Sequence, residues 1–458
     1  MTSGERHRPL CFVLMPFGTK TDLSSRMTID FDAVYDQIIA PAIEAAELDP
    51  IRADEEDVGG IIHKSMYERL ILCKFAVADL TTANANVYYE LGVRHAFRPW
   101  STVLIFADGI RLPFDLQPLR GLPYHLTGTG SLAAPERDRG ALADKLRTAG
   151  EETYDSPIFQ LWRELPEPDI SPLDAETFHH RMERSNKLRG QLAAAQHKGV
   201  EAIREVRSQL GRLRDEEPGV LLELMQAFRD AEQFDDMIDV VERMPRGLAG
   251  TVSVREQYAL ALNRAGQSEQ AEQVLLKLID DRGPSSETYG ILGRVYKDRW
   301  EAARRGGDPV LAGGLLKAAI DAYVKGFQTD WRDPYPGINA VQLMELQDRP
   351  DRRRHELLPV VTYSVKRRLA STRPDFWDYA TLLELAVLDG DEELAMDALE
   401  HAVAAVRAPF QPNSTLGTLR RLRQTREARQ PREPAPAWAL EIERALQASA
   451  ARIGHSAS

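Results

Sequence analysis

Cysteine is almost absent from this sequence: Cys11 and Cys73 are the two in 458 residues. Two thiols exclude a disulfide framework and any cysteine-based zinc site. One falls in a predicted strand and the other near a helix end, where buried, inert thiols are expected. Long apolar runs are also missing. The stretch MTSGERHRPLCFVLMPFG has an apolar run too short for the core of a secretion signal and no small-residue cleavage pattern. No later segment approaches the roughly 18 uninterrupted apolar residues of a membrane span. A cytoplasmic protein with no membrane partner is therefore expected. A basic excess is lacking as well. The formal charge of −12 leaves no overall field to hold phosphate backbones and weighs against nucleic acid as a partner. Neither G-x-G-x-x-G nor G-x-x-x-x-G-K-[ST] occurs, so dinucleotide hydride transfer and P-loop hydrolysis lose their sequence basis.

What is present is ample apolar residue, 43% of the chain, enough to fill the cores of several domains. The first third alternates short β-rich runs with helical patterns, the signature of an α/β parallel sheet covered by helices on both faces. CFVLMPF predicts strand one, and DFDAVYDQIIAPAIEAAE a helix leading to the short DPIRAD. GGIIHKSMYERLILCK reads as a helix, FAVADL as a strand, NVYYELGVRHAF as a helix and STVLIFAD as a strand, with LPFDLQPLRGLPYHL finishing the sheet. A flavodoxin-like strand order of 2-1-3-4-5 is expected. Near SPIFQLWRELPEPDISP the composition turns proline-rich and acidic, which sets a first domain over 1–165, a linker over 166–173 and a second domain over 174–458.

Beyond that boundary nearly every segment reads as an amphipathic helix of roughly 12 to 16 residues. YGILGRVY, Tyr289 to Tyr296, fits the W-x2-L-G-x2-Y pattern of a tetratricopeptide repeat, with Tyr289 in the tryptophan place. Gly293 follows Ala259 by 34 positions, one repeat length. The earlier unit carries Gly266 at its turn and Ala271 and Leu275 on its second helix; one period further back, Met225 and Phe228 keep the spacing. KAAIDAYVKGF supplies a second helix after an insertion holding RRGGDP. Gly390, Ala395, Leu399 and Ala402 mark a further unit. An all-α tetratricopeptide-repeat solenoid is expected, offering a surface for a protein partner or self-association. The tail RRLRQTREARQPREPAPAW, Arg420 to Trp438, has no aromatics among its charges and is expected to be a solvated helix face running into a linker rather than a nucleic-acid arm.

In a doubly wound sheet, ligands sit beyond the carboxyl ends of the strands where the order reverses. The crevice is then expected between Met15-Pro16-Phe17-Gly18 and the ADLTTANAN segment. The first offers one apolar ring and one glycine, which suits a flat base or nicotinamide better than a pyrophosphate. Asp79 is placed to orient a ribose hydroxyl or activate water, with Thr81, Asn84 and Asn86 as further substrate contacts. The same residues also suit a plain strand-to-helix turn and cap. Glu90 is expected in the first two helical turns, ionised by the helix dipole and facing an oxocarbenium-like state as a sugar–base bond breaks. Arg52, Asp54 and Arg120 lie near predicted strand ends, where a phosphate contact and a salt bridge are equally open. The acids Asp54, Glu55, Glu56 and Asp57 read as a solvated loop rather than a metal site, and His63 and His95 lack a partner at ligand spacing. No metal or cofactor is expected.

The order FVLMPFG, R-x-D (Arg52, Asp54), ADLT-x-x-x-x-NVYYELG-x-x-HA and LPFDL resembles the nucleoside 2-deoxyribosyltransferase-like branch of the TIR superfamily, over residues 8 to 165. The resemblance implies that Glu90, before Leu-Gly, is the nucleophile. Asn84 stands where the transferases carry an aspartate, which favours N-glycoside cleavage over base exchange, with NAD or a nucleotide as substrate. DPYPGINAVQLMEL and FWDYATLLELAVLDGD are similar to the TRAFs-binding regulatory region of apoptosis signal-regulating kinases. Together the resemblances imply an N-glycosidase of bacterial defence or stress signalling, governed by its repeats. The other expectation is a non-catalytic nucleotide-sensing scaffold whose repeats bind a protein.

Overall fold

Five parallel strands, β1 (Leu10–Leu14), β2 (Asp49–Arg52), β3 (Phe75–Asp79), β4 (Thr102–Ala107) and β5 (Leu122–Tyr124), pair in the order β2-β1-β3-β4-β5. This is the expected flavodoxin-like order. The computed structural model describes residues 8–22, 27–52, 62–82, 84–110, 121–149, 154–162, 164–166, 168, 172–371, 374–432 and 434–456. The strands read as near-continuous apolar runs because both faces of the sheet are covered. Along β1, Cys11 and Val13 join one core with Ile38, Ile43 and Leu142, while Phe12 and Leu14 join the other with Leu70 and Leu91. Both cysteines are buried and unbonded, and burial pushes both thiols up, Cys73 to about 12. Of the segment expected to close the sheet, Leu122–Tyr124 pairs with β4, and residues 111–120 lie outside the described set.

The helices around the sheet follow local capping rules. Asp30 accepts from the backbone N–H groups of Asp32 and Ala33 and starts a helical run, α1, made of Phe31–Val34, a π-turn over Tyr35–Ile39, and Ala40–Ala45. α2 (Ile62–Leu72) and α3 (Ala85–Phe97) cover one face, and α4 (Pro135–Thr148) packs with α1 on the other.

From Pro172 onward every described element is helical: α5 (Pro172–Gln196), α6 (Val200–Gln209), α7 (Pro218–Asp230) and α8 (Phe234–Arg243), then α9 (Val252–Arg264) and beyond. α5 begins inside the stretch assigned to a linker. Its Phe178 and Met182 complete the sheet's second core, and Arg181 pairs with Glu68 on α2 at 2.7 Å. The chain divides into two compact units, Met1–Gln233 with Val240–Thr251, and Phe234–Asp239 with Val252–Ser458.

In the second unit, α9 packs with α10 (Ser268–Arg282), α11 (Ser286–Arg305) with α12 (Pro309–Thr329), and α15 (Phe376–Asp389) with α16 (Glu392–Ala405). Between them lie α13 (Pro334–Glu345) and α14 (Arg354–Ser371), and α17 (Phe410–Arg429) and α18 (Ala437–Ser456) close the chain. These stacked pairs are the expected repeat solenoid. A Cβ on Gly293 would lie 2.7 Å from the Tyr323 ring, so the repeat's small residue is where two helices touch. Gly390, at φ 80°, ends α15 in the left-handed conformation that glycine adopts without strain. Ala271, Leu275, Ala395, Leu399 and Ala402 are buried, as the register required. The RRGGDP insertion lengthens α11 and α12 to 20 and 21 residues, against 13 and 15 in α9 and α10. Among the described residues no helix is long and apolar enough to cross a membrane.

Candidate functional site

The carboxyl ends of β1 and β2 hold a cation between two rings. The Arg52 guanidinium carbon lies 4.5 Å from the centroid of Phe17 and 4.8 Å from that of Tyr35. Through Nη2 it donates to Asp32 Oδ1 at 2.6 Å and to the Pro16 carbonyl at 3.5 Å, and Gly18 N–H donates to Asp32 Oδ1 at 3.3 Å. The Arg52 partner holds the Asp32 carboxyl below its ordinary range. Pro16, Phe17, Gly18 and Arg52 therefore lie together, while Met15 turns inward to the sheet core. Asp32 and Tyr35 were not singled out from the sequence. Their i, i+3 spacing in DFDAVYD, which puts both on one helix face, was the available signal. Asp54, the acids beside it and Arg120 lie outside the described residues.

At the end of β3 the geometry corrects an expectation. Asp79 is 1% exposed and its oxygens are taken up internally: Oδ1 accepts from the Thr81 N–H at 3.0 Å and from the Thr81 hydroxyl, and Oδ2 accepts from the Tyr124 hydroxyl at 3.0 Å. Thr81 Oγ1 also accepts from the Ala107 N–H at 3.0 Å. Burial pushes the Asp79 carboxyl up to about 6, against the downward pull of these donors. Asp79 and Thr81 thus tie the ends of β3, β4 and β5 together and present nothing to a ribose. Asn84 is the cap of α3, accepting from the Asn86 and Val87 N–H groups at 2.9 and 3.3 Å, and Asn86 is exposed.

Glu90 is half-buried and shares no hydrogen bond or ion pair with the described residues of either group or with any other described residue. Burial raises its carboxyl to about 7. The expected anion is therefore close to half protonated at neutral pH, because Glu90 lies past the first turn of α3, where the dipole has faded and desolvation wins.

The rest of the ELGVRHAF block has structural work. Arg94 is fully buried and donates through Nη1 to the carbonyls of Leu70 and Cys73, both at 2.7 Å, and through Nη2 to Lys74 at 3.0 Å. Arg98 donates to Ile71 O at 2.7 Å. Both satisfy carbonyls at and just beyond the end of α2. Burial lowers His95 to about 4, so it is neutral.

The helical unit presents two further polar features. Trp331 and Tyr363, 51% and 65% exposed, line a cavity of about 590 Å³ with Val360, Arg332, Arg367 and Arg368. Arg332 is held by Asp330 at 2.8 Å and Arg368 by Asp378 at 2.7 Å, whereas Arg367 has no described partner. The basic tail is not the solvated face that its composition suggested. Arg426 and Arg429 converge with Arg354 on the buried Glu345, and Arg423 pairs with Glu443 at 2.7 Å. Trp438 packs on the adjoining core.

The MAP3K TRAFs-binding domain family matches residues 87–439, from the first turn of α3 into α18. The chain belongs to this family. The MAP3K TRAFs-binding match covers the stacked helices from α5 to α17 and the groove lined by Trp331 and Tyr363. No curated protein matches the chain. Among solved structures it is similar to a thermophilic TPR protein of Thermus thermophilus, at 15% identity over 44% of this chain and 99% of that one, TM-score 0.34. A tetratricopeptide repeat protein of Parabacteroides merdae matches at 11% identity over 59% and 99%, TM-score 0.33. A human IFIT1 dimer with PPP-AAAA matches at 11% identity over 71% of each chain, TM-score 0.34. At such scores these likenesses carry no argument, and the repeat assignment rests on helix pairing and the Gly293 contact.

Proposed function

We propose that this protein is a scaffold that binds a protein partner through its helical unit. The observation that carries the reading is the Trp331–Tyr363 groove, where two large aromatic side chains stand exposed beside three arginines. Aromatic and arginine side chains of this kind dominate the energetics of protein interfaces, and none of the residues lining the groove is acidic. The partner segment that fits combines apolar and acidic side chains. Membership of a family described as TRAFs-binding supports the same direction. A photo-crosslinking residue in place of Tyr363 in the full chain, expressed in its source cells, identifies the partner, and the purified partner is then titrated. Trp331→Ala and Arg367→Glu are each expected to weaken binding about tenfold or more. No specific adduct, or equal binding by both variants, overturns the proposal.

A second reading concerns the α/β domain, as an N-glycosidase acting on NAD or another nucleotide with Glu90 as nucleophile or proton donor. What supports it is a carboxyl with no hydrogen bond or ion pair to a described residue, raised to about 7, a value suited to acid–base work near neutral pH. The Phe17 ring at the β1 end adds a flat surface for a base. Purified protein incubated with NAD and a nucleotide panel is expected to release base, and Glu90→Gln to abolish release. Absence of release throughout the neutral range leaves the α/β domain as a sensor of nucleotide occupancy or a purely structural part of the scaffold.

A further inference from the structure

The first unit carries an arginine-lined hollow that neither reading uses. Arg207, Arg212, Arg214, Arg243 and Arg246 line a cavity of about 730 Å³ with a single acid, Glu242. Five guanidinium groups against one carboxylate stand out on a chain of formal charge −12. Arg207 and Arg243 have an ordinary explanation, since each lies in the last turn of its helix, α6 or α8, where a cation meets the negative end of the dipole. The other three do not. Arg212 and Arg214 sit in the connector after α6 and Arg246 follows Pro245. All three are exposed, and none makes a side-chain hydrogen bond or ion pair with a described residue. Like charges gathered in excess of their counter-ions repel one another, so an anion entering the hollow relieves that repulsion as well as forming its own bonds. Buried Leu213 and Met244 supply an apolar floor beneath the guanidinium groups.

We propose that this hollow binds a compact anion carrying several phosphate groups, either an inorganic oligophosphate or the phosphate chain of a nucleotide. The planar fork of arginine matches phosphate oxygens two at a time, which Arg212, Arg214 and Arg246 can use on adjoining phosphates. The volume falls within the range of small-molecule sites. An extended nucleic acid fits less well, because its evenly charged backbone needs a basic track and the surrounding chain is acidic overall. The site is independent of the partner groove in the second unit.

Calorimetric titration of the full chain with inorganic tripolyphosphate tests the assignment. One saturable site is expected, weakening as salt rises. The Arg212→Ala/Arg214→Ala double variant is expected to bind about tenfold more weakly or worse, because two charge-assisted contacts are gone. Arg282→Ala, outside the hollow, is expected to match the parent. Both altered side chains are exposed and make no hydrogen bond or ion pair with a described residue, so the double variant keeps its fold, checked by circular dichroism. ATP binding as tightly as tripolyphosphate assigns recognition to the phosphate chain alone, and tighter ATP binding assigns a share to the Met244 floor; either supports the site. No saturable binding, or undiminished binding by the double variant, overturns it, as does a short single-stranded RNA that binds more tightly than tripolyphosphate.

Discussion

Arg426 donates through Nε to Glu345 Oε1 across 2.9 Å, and Glu345 is 2% exposed. The same arginine donates to the carbonyls of Val387 and Leu388 at 3.1 and 2.8 Å, at the end of α15. One side chain of α17 thus holds the last residue of α13 and the last turn of α15. Arg429 and Arg354 share the carboxylate, so a single buried anion answers three cations.

Removing that anion leaves three guanidinium groups facing one another. Glu345→Ala is expected to cost about 3–5 kcal/mol, the usual loss when one partner of a buried ion pair is deleted. Urea unfolding of the full chain followed by tryptophan fluorescence measures it. A midpoint unchanged from the parent would mean that the cluster is screened by water and holds nothing.

Asp79 gives a pH dependence with a definite sign. Its carboxyl is raised in the folded state from 3.8 to about 6, so the folded protein binds the proton more tightly than the unfolded chain does. Its favourable contribution is complete below about pH 4 and is lost as pH rises through about 6, by up to about 3 kcal/mol. Asp79→Asn removes the titration and keeps an oxygen for the Thr81 N–H. The stability difference between variant and parent is expected to shift toward the variant from pH 4 to pH 7. A constant difference across that window refutes the burial argument.

The Gly293–Tyr323 contact predicts a helix-packing defect. Gly293→Ala places a methyl group 2.7 Å from ring carbons of Tyr323, which is itself fully buried and cannot swing away. The cost expected is about 1–3 kcal/mol, typical of overpacking. Tyr323→Leu in the same chain is expected to recover part of it, a non-additive pair by thermal melting. Independent losses from the two substitutions would place the strain elsewhere.

Much of this architecture is local and was legible in the chain. The parallel sheet followed from apolar runs separated by helical patterns, and the repeat register followed from small residues one period apart. What escaped the sequence depends on partners distant along it. Asp79 looked like a ligand residue because nothing nearby announces that Tyr124 closes over it, 45 positions on. Arg94 sits inside the most recognisable block and reads as functional, yet its partners are carbonyls more than 20 residues earlier or at that distance. The arginines of α17 looked solvated because Glu345, which neutralises them, precedes Arg426 by 81 residues. Phe178 and Met182 fall beyond a composition boundary and still complete the sheet's second core. Glu90 could be located from its motif, whereas its protonation follows from burial that only packing defines.

The π-turn in α1 has its own bearing on how this domain tolerates change. Tyr35 opens the widened turn, packs beside the sheet core and lays its ring over Arg52, while Ile38 and Ile43, within and beyond the turn, are anchored in that core. One surplus residue shifts the phase of a helix by about 100°. Deleting either Asp36 or Gln37 would restore regular winding and force a choice between ring and anchor. Point replacement there is a small matter; shortening is not, and the clamp and the foundation can be inherited only as a length.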